Sequence, residues 1–306
     1  MAQPHPMMRL IQGDVGSGKT VVAAIACLNA IASGVQAAIM APTELLAEQH
    51  WRSFKAWFEP LDIECAWLSG RQRAAARRES RAGIASGQAQ LIVGTHALFQ
   101  EGVEFHNLAL VIIDEQHRFG VHQRMALRNK GVSEHGYPHQ LVMTATPIPR
   151  TLAMAAYADL DTSVIDELPP GRQPVTTVAL PGSRRDEVIE RVRSACLEGQ
   201  QAYWVCPLIE ESDVLDFEAA EARYEMLTRD LPELRVGLVH GRMRQVEKER
   251  GMQAFKDGDI QLLVATTVIE VGVDVPNASL MIVENAERMG LSQLHQLRGR
   301  VGRGSA

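Results

Sequence analysis

The amino-acid sequence predicts an α/β protein made of two tandem domains, each with a parallel sheet covered by helices. Three observations carry this prediction: a length of 306 residues, an alternation of apolar runs with helical segments, and a proline-rich break near the middle. At about 100–200 residues per domain, this length suggests two domains that can each bury a core. The 46% hydrophobic content excludes a disordered chain.

Short apolar runs alternate with segments of helical period in both halves of the chain. In the first half we predict strands at residues 9–12, 35–41, 90–94, 108–113 and 140–144, and helices at 20–33, 44–58, 71–86 and 121–130. In the second half we predict strands at 175–180, 202–207, 235–239, 260–265 and 279–284, and helices at 184–197, 218–230, 245–256 and 292–297. This pattern is typical of parallel sheets that are buried on both faces.

The break between the two halves reads PPGRQP and contains three prolines and one glycine. Such a composition cannot continue a helix or a central strand. We therefore predict a first domain at residues 1–168, a linker at 169–174 and a second domain at 175–306.

The charge and the cysteines limit the possible partners and compartment. The formal net charge of −6 argues against a broad basic coat for nucleic acid. No run approaches the ~20 apolar residues of a membrane helix, and no signal peptide is recognisable. We expect a cytoplasmic protein with no membrane partner. The four cysteines have no CxxC spacing, which predicts reduced core thiols.

A glycine-rich segment between the first predicted strand and helix matches the phosphate-loop pattern G-x-x-x-x-G-K-[ST]. Its backbone amides and the following helix N-terminus can bind phosphates. Lys19 can reach the β- and γ-phosphates, and the Thr20 hydroxyl can bind Mg²⁺. The alternative is an ordinary glycine-rich turn, which the flanking strand and helix disfavour. The predicted nucleotide-binding residues are Gly13, Asp14, Val15, Gly16, Ser17, Gly18, Lys19 and Thr20.

Two adjacent carboxylates, Asp114 and Glu115, directly follow an apolar run. The carboxyl ends of parallel strands gather at one sheet edge, so Asp114 should face the phosphate loop. Asp114 suits a Mg²⁺ ligand, and Glu115 suits a base that polarises the water attacking the γ-phosphate. The alternative is a helix cap, which the phosphate loop upstream disfavours.

Further segments occur in the order of the superfamily 2 helicase motifs. They are PTELLAEQH at 42–50 (motif Ia), GTH at 94–96 (Ib), DEQH at 114–117 (II), TATP at 144–147 (III), ATTVIEVGVD at 265–274 (V) and QLRGRVGR at 296–303 (VI). With GDVGSGKT, DEQHRFGVHQR, TATPIPRTLA and QLHQLRGRVGRG, the whole chain resembles the RecG family of bacterial branched-DNA helicases. This resemblance implies a P-loop NTPase motor of two RecA-like domains that hydrolyses ATP with Mg²⁺. It also implies action on branched or forked DNA, by fork regression and branch migration, in recombination and repair.

The resemblance assigns roles in motifs V and VI. Arg300 and Arg303 resemble arginine fingers, Gln296 would support the same triphosphate, and Gly272 and Asp274 would lie near the ribose. The alternative for the two arginines is a basic helix end that complements its own dipole.

The residues expected at the DNA are less sharply defined. By resemblance, the candidates for phosphate contacts are Thr43, Thr95, His240 and Thr267, and Thr144 and Thr146 would couple the ATP state to DNA binding. Phosphate contacts position DNA without reading its sequence, so they are compatible with an acidic chain. A threonine at a strand end is also commonly a helix cap or turn residue.

Several functions stay open beside the helicase. A transcription-repair coupling translocase belongs to the same class, although Glu44 and Gln116 favour the RecG family. A small-molecule P-loop NTPase or a non-catalytic nucleotide-binding module would leave motifs V and VI unexplained. RecG-like proteins also carry a wedge domain and a C-terminal segment, which this sequence does not show. We therefore expect a monomeric motor fragment.

Overall fold

The computed structural model describes residues 5–70, 72–115, 136–145, 160–167, 175–207, 213–266, 275 and 277–302, and the structural statements below concern these residues. The chain divides into two compact units, Met1–Glu167 and Leu168–Ala306. The linker proposed at 169–174 lies outside the described residues, so the predicted domain limits stay predictions.

The first unit is a parallel sheet with helices on both faces. Its described elements are β1 (Met8–Gly13), α1 (Lys19–Ala32), β2 (Gln36–Met40), α2 (Glu44–Phe58), β3 (Cys65–Leu68), α3 (Ala74–Ser86), β4 (Leu91–Gly94), β5 (Leu108–Asp114), β6 (His139–Thr144) and β7 (Asp161–Ile165). The strand order is β3-β4-β2-β5-β6-β1-β7, and every pairing is parallel.

Both faces of this sheet are buried. Along β2, Ile39 joins a cluster with Phe54 of α2, whereas the next residue, Met40, joins a cluster with Ile84 of α3 on the opposite face. Successive residues of a strand point to opposite faces, so both must be apolar here. This explains why the central strands read as continuous apolar runs.

The second unit repeats the same architecture with a smaller described sheet. Its described elements are α4 (Arg185–Leu197), β8 (Gln201–Val205), α5 (Asp213–Asp230), β9 (Val236–Val239), α6 (Gln245–Lys256), β10 (Leu262–Ala265), β11 (Ala278–Val283) and α7 (Leu291–Arg298). The strand order is β11-β8-β10-β9, and all pairings are parallel. The predicted α/β class with parallel sheets is therefore confirmed.

Two described strands were not predicted and one predicted strand does not form, and in each case tertiary pairing decides. The residue patterns of β3 and β7, the two edge strands of the first described sheet, did not predict them. β7 reads DTSVI, and an edge strand needs no continuous apolar run. The strand predicted at residues 175–180 is wrong. This segment pairs with no described strand, and its Val178 is 67% exposed.

Two further properties of the described residues concern the hydropathy of the helices and the state of the thiols. No helix among the described residues is long and apolar enough to cross a membrane. All four cysteines are free; Cys65 is half-buried, and Cys27, Cys196 and Cys206 are buried. Burial raises the pKa of Cys196 to about 11, which keeps its thiol protonated at neutral pH.

Candidate functional site

The strand order brings three predicted segments to one edge of the first sheet. β5, β6 and β1 are neighbours that run in the same direction. The register pairs Asp114 with Met143 and Thr144 with Gln12, so these strands end at nearly the same level. The phosphate loop, the acidic pair and the threonine of motif III therefore lie side by side.

The phosphate loop joins β1 to α1 and depends on glycine at two positions. A Cβ atom at Gly13 would lie 2.5 Å from the Ser17 Oγ atom and 3.0 Å from the Ile165 Cβ atom. Gly18 precedes α1 with a φ of +94°, a region that other residues rarely adopt. The first amides of a helix lack intrahelical acceptors, so this loop presents donors to an anion.

Lys19 places its positive charge against this loop. Its Nζ atom donates to the backbone oxygens of Gly13 at 2.7 Å and of Asp14 at 2.8 Å. The Asp14 carboxylate in turn accepts from the Val15 amide at 2.7 Å. The ammonium group therefore lies where bound phosphates would need a cation, and Thr20 follows it in the first turn of α1.

Asp114 ends β5 and contacts a histidine that the sequence analysis missed. The His50 Nε2 atom lies 2.7 Å from the Asp114 Oδ2 atom, and both side chains are buried. His50 lies on the apolar face of α2, together with the buried Ala47 and Phe54. A histidine within an apolar helical stripe was the available signal, because a buried polar side chain needs a partner.

Glu115 has an unusual backbone conformation, and its carboxylate accepts two hydrogen bonds from motif III. Its φ is +50°, a sparsely populated region for residues other than glycine. The Thr144 hydroxyl donates to the Glu115 Oε2 atom at 3.1 Å, and the Ala145 amide donates to Oε1 at 3.4 Å. Motif III thus directly fixes the orientation of the candidate base.

The environment of Glu115 raises the pKa of its carboxyl group. Burial is the largest cause and the negative charge of Asp114 the next, while the Thr144 hydrogen bond and the Lys19 charge act in the opposite direction. A carboxylate with a raised pKa is a better proton acceptor near neutral pH. The site therefore combines a stronger base with a nearby cation.

The donors at this edge fit Mg²⁺ held together with phosphates. Among the described residues, no group of three or more His, Cys, Asp or Glu could hold a metal. Magnesium in such enzymes is commonly bound by one or two protein oxygens plus substrate phosphates. Asp114 has one carboxylate oxygen on His50, and within the described chain its Oδ1 atom accepts no hydrogen bond. The Asp114 carboxylate and the Thr20 hydroxyl thus supply suitable oxygen ligands.

The two threonines predicted to contact DNA in the first unit differ in the hydrogen bonding of their hydroxyl groups. The Thr43 hydroxyl caps α2 by accepting from the Leu46 amide at 3.3 Å, as the alternative interpretation allowed. Thr95 follows β4 and is buried, and its hydroxyl has no hydrogen-bond partner among the described residues. Both threonines lie at the carboxyl edge of the sheet, and Thr95 is the less accessible.

The described candidates of the second unit are largely buried. Gln296 is buried on α7, and Arg300 lies half-buried in the turn after that helix. His240 follows β9, its Nε2 atom lies 3.6 Å from the Glu221 carboxylate, and burial lowers its pKa. The remaining candidates lie outside the described residues: Gln116, Thr146, Thr267, Gly272, Asp274 and Arg303.

Two family models and several known proteins match this chain. Residues 4–155 match the family described as DEAD/DEAH box helicase, and residues 183–305 match the helicase conserved C-terminal domain. The ATP-dependent DNA helicase RecG of Escherichia coli K12 is 70% identical over 306 residues, which are 100% of this chain and 44% of that protein. RecG of Thermotoga maritima is 53% identical over 305 residues, which are 99% of this chain and 39% of that protein. The chain therefore spans less than half the length of these relatives.

Solved structures show the same likeness. A structure of RecG bound to a three-way DNA junction superposes with a TM-score of 0.76 and 49% identity, covering 98% of this chain and 38% of that one. S. cerevisiae Dbp5 bound to RNA and ADP BeF3 gives a TM-score of 0.70 at 15% identity, covering 98% and 78% of the two chains. The second likeness supports the fold alone.

Proposed function

This chain belongs to the RecG family of superfamily 2 helicases, and we propose that it is the ATP-driven motor with which such a helicase remodels branched DNA. The observation that carries the proposal is the carboxyl edge of the first sheet. There the phosphate loop with Lys19 follows β1, and Asp114 and Glu115 lie at the end of β5. Thr144, at the end of the intervening strand β6, binds the candidate base.

The chemistry of the proposed reaction assigns a separate task to each of these side chains. Lys19 neutralises the β- and γ-phosphates of ATP within the loop. The Glu115 carboxylate accepts a proton from water while the water oxygen bonds to the γ-phosphorus. The bond from that phosphorus to the β–γ bridging oxygen breaks, which leaves ADP and phosphate. The raised pKa of Glu115 favours this proton transfer.

Asp114 and Thr20 would hold Mg²⁺ beside the triphosphate. When bound, the metal would supply positive charge that offsets the negative charge developing on the phosphates during hydrolysis. In this chain the role of His50 is to fix the orientation of the Asp114 carboxylate, because its Nε2 atom lies 2.7 Å from Asp114 Oδ2 and both side chains are buried.

The motif VI residues Gln296, Arg300 and Arg303 would support the triphosphate, and Gly272 and Asp274 of motif V would lie near the ribose. These assignments rest on the family motifs. Arginine fingers raise the hydrolysis rate by about 10³–10⁵-fold in related NTPases.

We propose that the DNA is held by its phosphates, since the candidate contacts are small or polar groups rather than base readers. They are Thr43, Thr95, His240 and Thr267. The hydrogen bond between Thr144 and Glu115 offers a direct means of coupling motif III to hydrolysis, with Thr146 two residues further along the chain.

The test of this function is the steady-state ATPase rate of the chain without DNA and with single-stranded, duplex or forked DNA. We expect DNA to stimulate hydrolysis, and forked DNA to stimulate it most. Stimulation by none of them would contradict a DNA motor. Equal stimulation by duplex and forked DNA would contradict the preference for branched substrates and leave the motor assignment in place.

Replacing His50 by alanine is expected to raise the Mg²⁺ concentration needed for half-maximal ATP binding by about 10–100-fold, the usual effect of losing a residue that orients a metal ligand. The physical reason is that Asp114 loses its buried partner. The measurement is binding of a fluorescent ATP analogue during a Mg²⁺ titration, with the Mg²⁺-free affinity as reference.

The control for this prediction is His106→Gln, which changes an exposed histidine of the same unit outside the helicase motifs. His50→Gln keeps a nitrogen donor and should restore part of the Mg²⁺ affinity. If His50→Ala and the parent had the same Mg²⁺ dependence, His50 would have no positioning role.

A further inference from the structure

Helix α3 carries a stripe of arginines that the helicase motifs do not include. Arg73 precedes the helix, and Arg77 and Arg81 follow at intervals of four residues. Side chains at this spacing lie on one face of a helix. Arg78 adds a fourth cation, whereas Glu79 is the one acidic residue between positions 73 and 86. We call these four arginines the α3 stripe.

The positive charge of the α3 stripe is not neutralised within the described chain. Arg77 donates to the Gln100 Oε1 atom, and Arg81 donates to the backbone oxygen of Glu101 at 3.4 Å. Both acceptors are neutral. Arg73 and Arg78 are exposed, and neither contacts a carboxylate among the described residues.

Other arginines of this protein behave differently. Several form ion pairs with a neighbouring carboxylate: Arg52, Arg184, Arg193, Arg223 and Arg229. Like charges four residues apart destabilise a helix. The spacing of the α3 stripe therefore does not contribute to the stability of α3. An unneutralised basic stripe on a chain with a net charge of −6 favours an anionic partner.

The position of α3 suggests which anion it binds. The strand order β3-β4-β2 places the turn that leads into α3 beside the segment of Thr95, which is itself beside that of Thr43. The Gly70 amide donates to the Glu44 Oε1 atom at 3.2 Å, and the Thr95 amide donates to the Leu68 backbone oxygen at 3.4 Å. The stripe thus begins, at Arg73, beside the sheet edge on which the DNA candidates lie. From there α3 runs back along the sheet, because the Ile84 backbone oxygen near its end accepts from Gln36, the first residue of β2, at 2.9 Å.

We propose that the α3 stripe binds the phosphate backbone of DNA, one strand beyond the helicase motifs; this inference rests on the proposed function. Arginines four residues apart rise by about 6 Å each, so Arg73, Arg77 and Arg81 span about 12 Å. One DNA strand carries a phosphate about every 3.4 Å along the duplex axis, so this span covers about three phosphates. The planar guanidinium group matches phosphate geometry, and the contacts read no sequence.

Two double variants test the stripe: Arg73→Gln with Arg78→Gln, and Arg77→Gln with Arg81→Gln. The first pair is exposed and makes no hydrogen bond to another described side chain, so folding should be unaffected. Fluorescence anisotropy would measure binding of a duplex, and of a single strand of the same sequence, at several KCl concentrations. The slope of log K (the association constant) against log[KCl] is negative, and we expect its magnitude to decrease by about 0.9 per lost duplex phosphate contact and about 0.7 per lost single-strand contact.

The matched control is Arg229→Gln, because Arg229 is exposed but pairs with Asp230. It should leave the slope and the DNA affinity unchanged. If the parent binds DNA and both double variants keep its slope, the stripe proposal is overturned and the motor assignment stands. If the parent binds neither the duplex nor the single strand, both the stripe proposal and the proposal of a DNA motor are overturned. A double variant whose slope has a smaller magnitude than that of the parent, with either form of DNA, supports the stripe proposal.

Discussion

Replacing Glu115 by glutamine is expected to slow ATP hydrolysis by about 10²–10⁴-fold, the usual contribution of a positioned base, while ATP binding stays close to that of the parent. Glutamine has nearly the same size and can keep contacts with Thr144 and the Ala145 amide. It cannot accept the proton of the attacking water. The loss should therefore fall on the chemical step.

Single-turnover hydrolysis and equilibrium binding of a fluorescent ATP analogue separate these two effects for Glu115→Gln. Glu198→Gln, at an exposed glutamate after α4, is the control for a change of carboxylate to amide. A Glu115→Gln variant that hydrolysed ATP as fast as the parent would remove Glu115 from the catalytic role.

Replacing Lys19 by alanine should reduce hydrolysis by at least about 10²–10³-fold, the effect of losing one preorganised donor to a developing charge. In contrast to the Glu115 variant, it should also weaken ATP binding. The Lys19 ammonium group lies against the loop carbonyls of Gly13 and Asp14, so its removal takes away the cation that the triphosphate meets there.

The same two assays apply to Lys19→Ala, with thermal unfolding to show that the loop still folds. Lys256→Ala, at the exposed end of α6, is the matched control. Parental ATP affinity in Lys19→Ala would contradict the assignment of Lys19 to the phosphates. Together the two variants distinguish a binding residue from a residue of the chemical step.

The sequence alone predicted the central strands and the nucleotide-binding segments because their signals are local. A strand buried on both faces must be apolar along its whole length, so β2, β4 and β5 could be found directly. The phosphate loop requires glycine where the chain turns sharply, and its lysine follows immediately. Asp114 and Glu115 could be assigned because the end of a parallel strand fixes where they lie.

Local patterns were weaker at the edges of the sheets. β3 and β7 have one neighbouring strand each in the described sheet, so their residues need not be continuously apolar. The segment 175–180 has strand-like residues but no described strand to pair with. A segment forms a strand only when it can hydrogen-bond to a neighbouring strand. The residues of a short segment do not show which distant segment will lie beside it.

By itself, the sequence determined the α/β class, the phosphate loop and the acidic pair of this protein. Only the tertiary structure decided which side chains meet them: His50 reaches Asp114 across 64 positions, and Thr144 reaches Glu115 across 29. It also placed the start of the α3 stripe beside the edge that carries Thr43 and Thr95. The physical reason is that composition and periodicity fix what a segment can form, whereas strand order and register fix which distant segments become neighbours.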